Sequence, residues 1–242
     1  ASFLFCLGYT LIRIDVKKYG LNRLPYFSPS LLSRILGISC FTMIQYFISM
    51  ATWFVFFMAV ERLGQRELAV ANIIRSIYVV LLIPVQALST SANSLVSNLI
   101  GSGGIDNVMK LMNRIAGFSF LIAIGCVCVM AIFPEAFLAI YTNDGALISE
   151  SVPSVYMIGV AILVASLSNI YFNGISGTGN TRAALFLETG TLVVYAIYIF
   201  VIGMWMKAPV YVCFSTEVLY YGLMFLLSVI YLKKAKWQNK KI

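Results

Sequence analysis

The chain has 242 residues, of which 61% are hydrophobic and 11% charged, with a formal net charge of +8. An ordinary soluble domain carries ~25% charged residues, and a soluble core of this size cannot hide so much apolar surface. Composition therefore places the chain among membrane proteins and excludes a disordered chain, a secreted disulfide scaffold and a nucleic-acid reader. Histidine is absent, which removes His-based triads, His general bases and most zinc sites. Cys6, Cys40, Cys126, Cys128 and Cys213 all lie in apolar runs without a CxxC pair and are read as small buried hydrophobes.

The opening run, residues 1–14, covers about 21 Å as a helix, short of a hydrocarbon core of about 30 Å. It lacks the flanks of a cleaved leader. It is expected to be the end of a helix that begins before this sequence, so that the chain is the C-terminal part of something longer. Residues 15–33 follow as a basic, aromatic-containing cytoplasmic linker, either amphipathic at the interface or a solvated connector. Six long apolar segments come next, over 34–60, 68–100, 113–133, 151–174, 183–205 and 209–232. Each is near or above the ~20 residues of a spanning helix. The runs are continuous rather than alternating, so a β-barrel is not indicated. The second is too long for a straight span, and Pro84 is expected to bend it.

The basic residues set the orientation. Arg13, Lys17, Lys18, Arg23, Arg34, Lys110, Arg114, Arg182, Lys233, Lys234, Lys236, Lys240 and Lys241 fall at one set of helix ends. The opposite ends hold Arg62, Arg66 and Lys207 beside Glu61, Glu67, Glu135, Asp144 and Glu150. The linker and the C-terminus are thus expected in the cytoplasm. The positive charge becomes an orientation signal and a contact for lipid headgroups, with no nucleic-acid partner.

Five spans carry polar residues at helical spacing. They are Thr42, Gln45, Ser49 and Thr52; Gln86, Ser89, Asn93 and Ser97; Ser166, Asn169 and Asn173; Glu188, Thr191, Tyr195 and Tyr198; and Glu217 with Tyr220 and Tyr221. The third span is nearly bare of them and is expected to face lipid. Ser and Thr in such helices often bond their own backbone, so the amides and acids carry the signal of a shared polar cavity. A charge at the centre of a bilayer costs at least ~2.5 kcal/mol. Glu188 lies about 9 Å in from the cytoplasmic end of its span, Glu217 about 12 Å and Arg75 about 10 Å in from the outer end. Matching depth predicts an Arg75–Glu217 ion pair, structural or acting as an outer gate. Glu188 is the candidate titratable or cation-attracting group, with Asn169 and Asn173 as expected neighbours. The glycine-rich run from Gly177 to Arg182 has no preceding strand and no Walker lysine, and reads as a tight turn, with Asn180 or Thr181 capping the next helix.

The run from Ala69 to Ile74, then Ile83, Pro84, Ser91, Ala92 and Gly101 to Gly103, resembles the eighth helix of multidrug and toxic compound extrusion (MATE) transporters. Asn173 to Arg182 resembles the loop after their tenth helix, and Gln45 sits where many prokaryotic members have Gln. The resemblance covers essentially the whole chain. It implies an all-α membrane protein whose residues 34–242 form the C-terminal six-helix lobe of a twelve-helix transporter, with 1–14 as the end of helix six and an N-terminal lobe as partner. It further implies export of small organic cations in exchange for protons or sodium ions, without a cofactor, in a bacterial inner membrane. The carboxylates that one branch of the family places on helices seven and ten have no counterpart near Met43 to Ser49 or Ala165 to Asn169. The coupling acid is then either outside this chain or moved to Glu188 or Glu217. Gln45, Asn169 and Asn173 are expected beside Glu188, with Tyr195 and Tyr198 as aromatic walls. A lipid-linked oligosaccharide flippase of the same superfamily is the alternative; it calls for a more cationic cavity. An intramembrane enzyme lacks the necessary groups.

Overall fold

The computed structural model describes residues 8–10, 12, 13 and 28–234. The expected helix end at 1–14, the 15–33 linker and the basic tail therefore lie mostly outside the described residues. The chain divides into a unit Ala1–Gly37 and a unit Ile38–Ile242. The described residues of the first are helical apart from Ser28. The second holds every feature discussed below.

The elements are α1 (Pro29–Glu61), α2 (Gln65–Gly101), a 3-10 turn (Ile105–Asn107), α3 (Val108–Ile132), a short α4 (Pro134–Ala139), α5 (Gly145–Gly177), α6 (Thr181–Ile199) running into a π-helical stretch (Phe200–Trp205), a short α7 (Val210–Cys213) and α8 (Ser215–Lys234). Among the described residues six helical stretches are long and apolar enough to cross a membrane, and they coincide with the six apolar segments of the sequence. The first opens earlier than expected, so residues 29–33 are helical rather than linker.

α5 is the most buried of these helices and packs against α2, α3 and α8. Its start is fixed by Asp144, whose carboxylate accepts the backbone N–H of Ala146 at 3.0 Å and of Leu147 at 3.4 Å, satisfying donors that a helix start leaves open. At its other end Gly177 lies against α2, where a Cβ would come within 2.7 Å of the Asn93 carbonyl oxygen. Ser97 Oγ donates to the Gly177 carbonyl at 2.9 Å, and one turn pair earlier Ser89 Oγ donates to the Asn169 carbonyl at 3.0 Å. Together these fix the lower half of α2 along α5. α2 continues without a break past Pro84. Gly179 takes φ +76°, a left-handed conformation that lets the chain reverse before α6. The expected cap at α6 does not form. The Asn180 amide donates instead to the Tyr231 hydroxyl on α8.

A core of Phe56, Ile74, Tyr78, Ile158, Ile162 and Phe214 joins α1, α2, α5 and α7–α8. The apolar outer faces stay exposed, including Phe47, Ile83, Leu121, Val193 and Leu226. Such a surface suits hydrocarbon rather than water. Cys213 is buried as expected, whereas Cys40 and Cys128 are exposed on these outward faces and so are not core residues.

Candidate functional site

Five helices enclose a cavity of about 160 Å³. α1 contributes Gln45, Tyr46, Ser49, Thr52 and Trp53. α2 adds Gln86 and Thr90, and α5 adds Asn169, Phe172 and Asn173. α6 supplies Glu188, Leu192 and Tyr195, and α8 supplies Glu217, Tyr220, Tyr221 and Met224. Among the described residues no Lys or Arg lines it, and α3, the span almost bare of polar groups, contributes nothing.

The convergence follows from helical spacing. Glu188 and Tyr195 are seven residues apart, two turns on one stripe of α6, with Leu192 between them. On α8 Glu217, Tyr220, Tyr221 and Met224 recur at the same three-and-four spacing. Two stripes facing one space place both acids on the same cavity.

Glu188 is 5% exposed. Its Oε1 lies 3.5 Å from the Tyr220 hydroxyl, and Gln45 lines the same cavity. Its Oε2 is buried and has no hydrogen-bond partner. The amides expected as its neighbours share the cavity but spend their N–H groups elsewhere. Asn169 Nδ2 donates to the Ala165 carbonyl at 3.0 Å, and Asn173 Nδ2 to the Asn169 carbonyl at 3.0 Å. The Asn169 side chain also meets Tyr221. Arg182, the basic residue nearest Glu188 in sequence, lies over the Phe41 ring at 5.0 Å.

Glu217 is 3% exposed and accepts two phenol O–H groups. Tyr195 donates to Oε1 at 3.0 Å and Tyr78 to Oε2 at 3.1 Å. The expected ion pair with Arg75 is not formed. Among the described residues Arg66–Glu150 meets the distance for a salt bridge, at 2.8 Å and well exposed, and Arg75 to Glu217 does not. Arg75 instead stacks outward, its guanidinium 5.1 Å from the Phe57 ring and 5.6 Å from that of Trp53. The two groups share a depth but not a direction around the bundle. Arg75 is on the exposed side of α2, while Tyr78 on the buried side reaches Glu217.

Tyr195 forms a wall as expected, edge-on to Tyr220 with centroids 6.1 Å apart, and Tyr220 packs on Tyr221 at 4.9 Å. Tyr198 does not. Its hydroxyl meets Ser215 Oγ at 3.0 Å; it lies nearly a turn further along α6 than Tyr195, at the α7–α8 junction, and does not line the cavity. Several small hydroxyls of the polar lines serve backbone carbonyls: Thr52 bonds Ile48, Ser166 bonds Leu163, and Thr191 bonds Leu187 and Glu188. Tyr78, Trp53, Phe172 and Met224 were not singled out by sequence. They sit in apolar runs where nothing separates a cavity wall from core.

The arrangement is a polar, aromatic-walled space with two buried acids and no fixed positive charge. It can hold cations through carboxylate contact and aromatic faces. Among the described residues no group of three or more acids and cysteines could hold a metal ion.

The MatE family model matches residues 39–202, which covers α2 to α6 entirely and most of α1. None of the curated proteins matches significantly. Two solved structures share the fold. One is a MOP superfamily transporter from Pyrococcus furiosus Vc1, for which a binding pocket of reverse polarity suggests a different function. It is 12% identical with TM-score 0.76, over 84% of this chain and 45% of that one. The other is a multidrug resistance MATE family transporter of the MOP superfamily in an outward-facing conformation, 12% identical with TM-score 0.77, over 86% of this chain and 47% of that one. The chain thus spans about half the length of the structures it matches. On the family match over more than half of its residues, and with the all-helical architecture those structures share, this chain belongs to the MatE family.

Proposed function

We propose that the protein is a secondary antiporter that exports small organic cations in exchange for protons or sodium ions by alternating access. This chain would be its C-terminal six-helix lobe, with the C-terminus on the cytoplasmic side of a bacterial inner membrane. The N-terminal lobe is the partner that completes the substrate path. In this reading Glu188 is the titratable or cation-attracting group. Gln45, Asn169 and Asn173 supply polar surface nearby, and Tyr195 and Tyr220 offer aromatic faces. No cofactor and no catalytic step is assigned.

One observation carries the reading: among the described residues, two carboxylates and no Lys or Arg line one cavity. Its charge repels a pyrophosphate headgroup and attracts a cation. Energetics point the same way. A buried carboxylate oxygen without a partner is costly, and Glu188 Oε2 is such an oxygen. A proton, a sodium ion or a cationic substrate relieves that cost, and exchange among them is antiport. The test is efflux of a cationic dye from drug-sensitive cells expressing the full-length protein, with and without a proton or sodium gradient. Gradient-dependent efflux that Glu188→Gln abolishes, with normal membrane abundance, is expected. Normal efflux by Glu188→Gln refutes the assignment, and movement of a lipid-linked oligosaccharide in place of dye favours the flippase.

A further inference from the structure

In the reading above Glu217 contributes only charge to the cavity, and without its expected partner Arg75 it is available for a contact of its own. It lines the same cavity as Glu188 but at a different depth. Glu217 is held at the level of Tyr195 by the 3.0 Å bond to that hydroxyl. Tyr195 and Glu188 are two helical turns apart on α6. The aromatic edges of Tyr195 and Tyr220 stand between the two acids. Among the described residues no Lys or Arg lines the cavity with the two acids; Arg75 turns onto Phe57 and Arg182 onto Phe41. Both still have acceptor capacity. Glu188 Oε2 is wholly unpartnered, and an ionised carboxylate offers about four lone-pair sites, of which the two tyrosine bonds occupy part.

We propose that the cavity selects dications, linear molecules with a positive group at each end, one held by Glu188 and the other by Glu217. The proposal rests on the antiporter reading and extends it to the chemical class of substrate. A single positive charge would leave one of two buried carboxylates uncompensated. A molecule charged at both ends compensates both at once, while its apolar middle passes along the tyrosine edges. An aliphatic diamine has this form.

The experiment measures transport of linear diamines of increasing length, and of monoamines of matched length, by the full-length protein in proteoliposomes. The wild type is expected to favour a diamine long enough to reach both acids over shorter diamines and over the monoamine. Glu217→Gln is expected to lower kcat/KM for that diamine roughly tenfold or more beyond its effect on the monoamine, whereas Glu188→Gln lowers both alike. A merely structural Glu217 predicts an equal loss for the two amines, and that result overturns the proposal. Should Glu217→Gln fail to reach the membrane, Glu217→Asp keeps the charge but withdraws it, and the preferred diamine should lengthen; an unchanged preference overturns the proposal. Monoamine transport without diamine preference defeats this proposal alone. Transport of neither amine under any ion gradient defeats the antiporter reading together with it.

Discussion

Glu217 ties three helices together, because Tyr78 on α2 and Tyr195 on α6 both donate to its carboxylate on α8. Glu217→Ala removes both acceptors and strands two phenol hydroxyls that are 1% and 3% exposed. Each buried donor left unmatched costs about 1–3 kcal/mol, so the pair costs about 2–6 kcal/mol, before any contribution from the cavity left behind. At ~2–4 °C per kcal/mol for a chain of this size, thermal unfolding of the purified protein in detergent should shift down by at least about 4 °C. Glu217→Gln should behave differently. Its amide oxygen replaces one of the two acceptors, and its NH2 can donate to the other phenol oxygen, so the shift should stay below that of Glu217→Ala. Tyr78→Phe and Tyr195→Phe measured with Glu217→Ala as double-mutant cycles should show coupling of about 0.5–3 kcal/mol. If Glu217→Ala unfolds at the wild-type temperature, or if Gln and Ala are equally harmful, the three-helix tie is wrong.

Further outcomes follow from other contacts. Gly177→Ala puts a methyl 2.7 Å from the Asn93 carbonyl oxygen, a backbone atom that cannot swing aside. Overpacking of about 1–3 kcal/mol should lower the unfolding temperature, whereas Gly190→Ala, where a Cβ meets nothing within 4 Å, should not. Arg75→Gln and Glu217→Gln should combine additively within about 0.5 kcal/mol in thermal unfolding, because Arg75 lies on Phe57 and Trp53 and not on Glu217; strong coupling would restore the ion pair.

The six spans were legible because length and continuous hydropathy set them, with Gly177 to Asn180 and the stretch after Glu61 as natural breaks. The convergence of Gln45, Asn169, Asn173, Glu188, Tyr195 and Glu217 on one cavity was legible for a related reason. A polar group in hydrocarbon is costly enough that it must face inward. Rotation around a helix axis was harder to read. Depth placed Arg75 level with Glu217, yet the direction of each side chain depends on which helix packs beside it, and α1 offered Arg75 two aromatic rings. Tyr198 failed along the axis instead, nearly a turn past Tyr195, where Ser215 takes its hydroxyl. Tyr78 was invisible because a phenol in an apolar run looks like core until an acid from another helix meets its hydroxyl. Local chemistry misled at Asn180, where a long-range partner, Tyr231, outcompetes the helix cap.

The account stands on acids and amides of separate spans facing one wet space, and neighbouring positions on α6 test this most directly. Leu192 lines the cavity, while Val193 is 54% exposed on the outer surface of the bundle. In a cysteine-free background, Leu192→Cys should react with a hydrophilic thiol reagent and be protected by an organic cation, and Val193→Cys should stay unlabelled in the bilayer. Labelling at 193 and not at 192, or labelling at 192 that no cation slows, would contradict it.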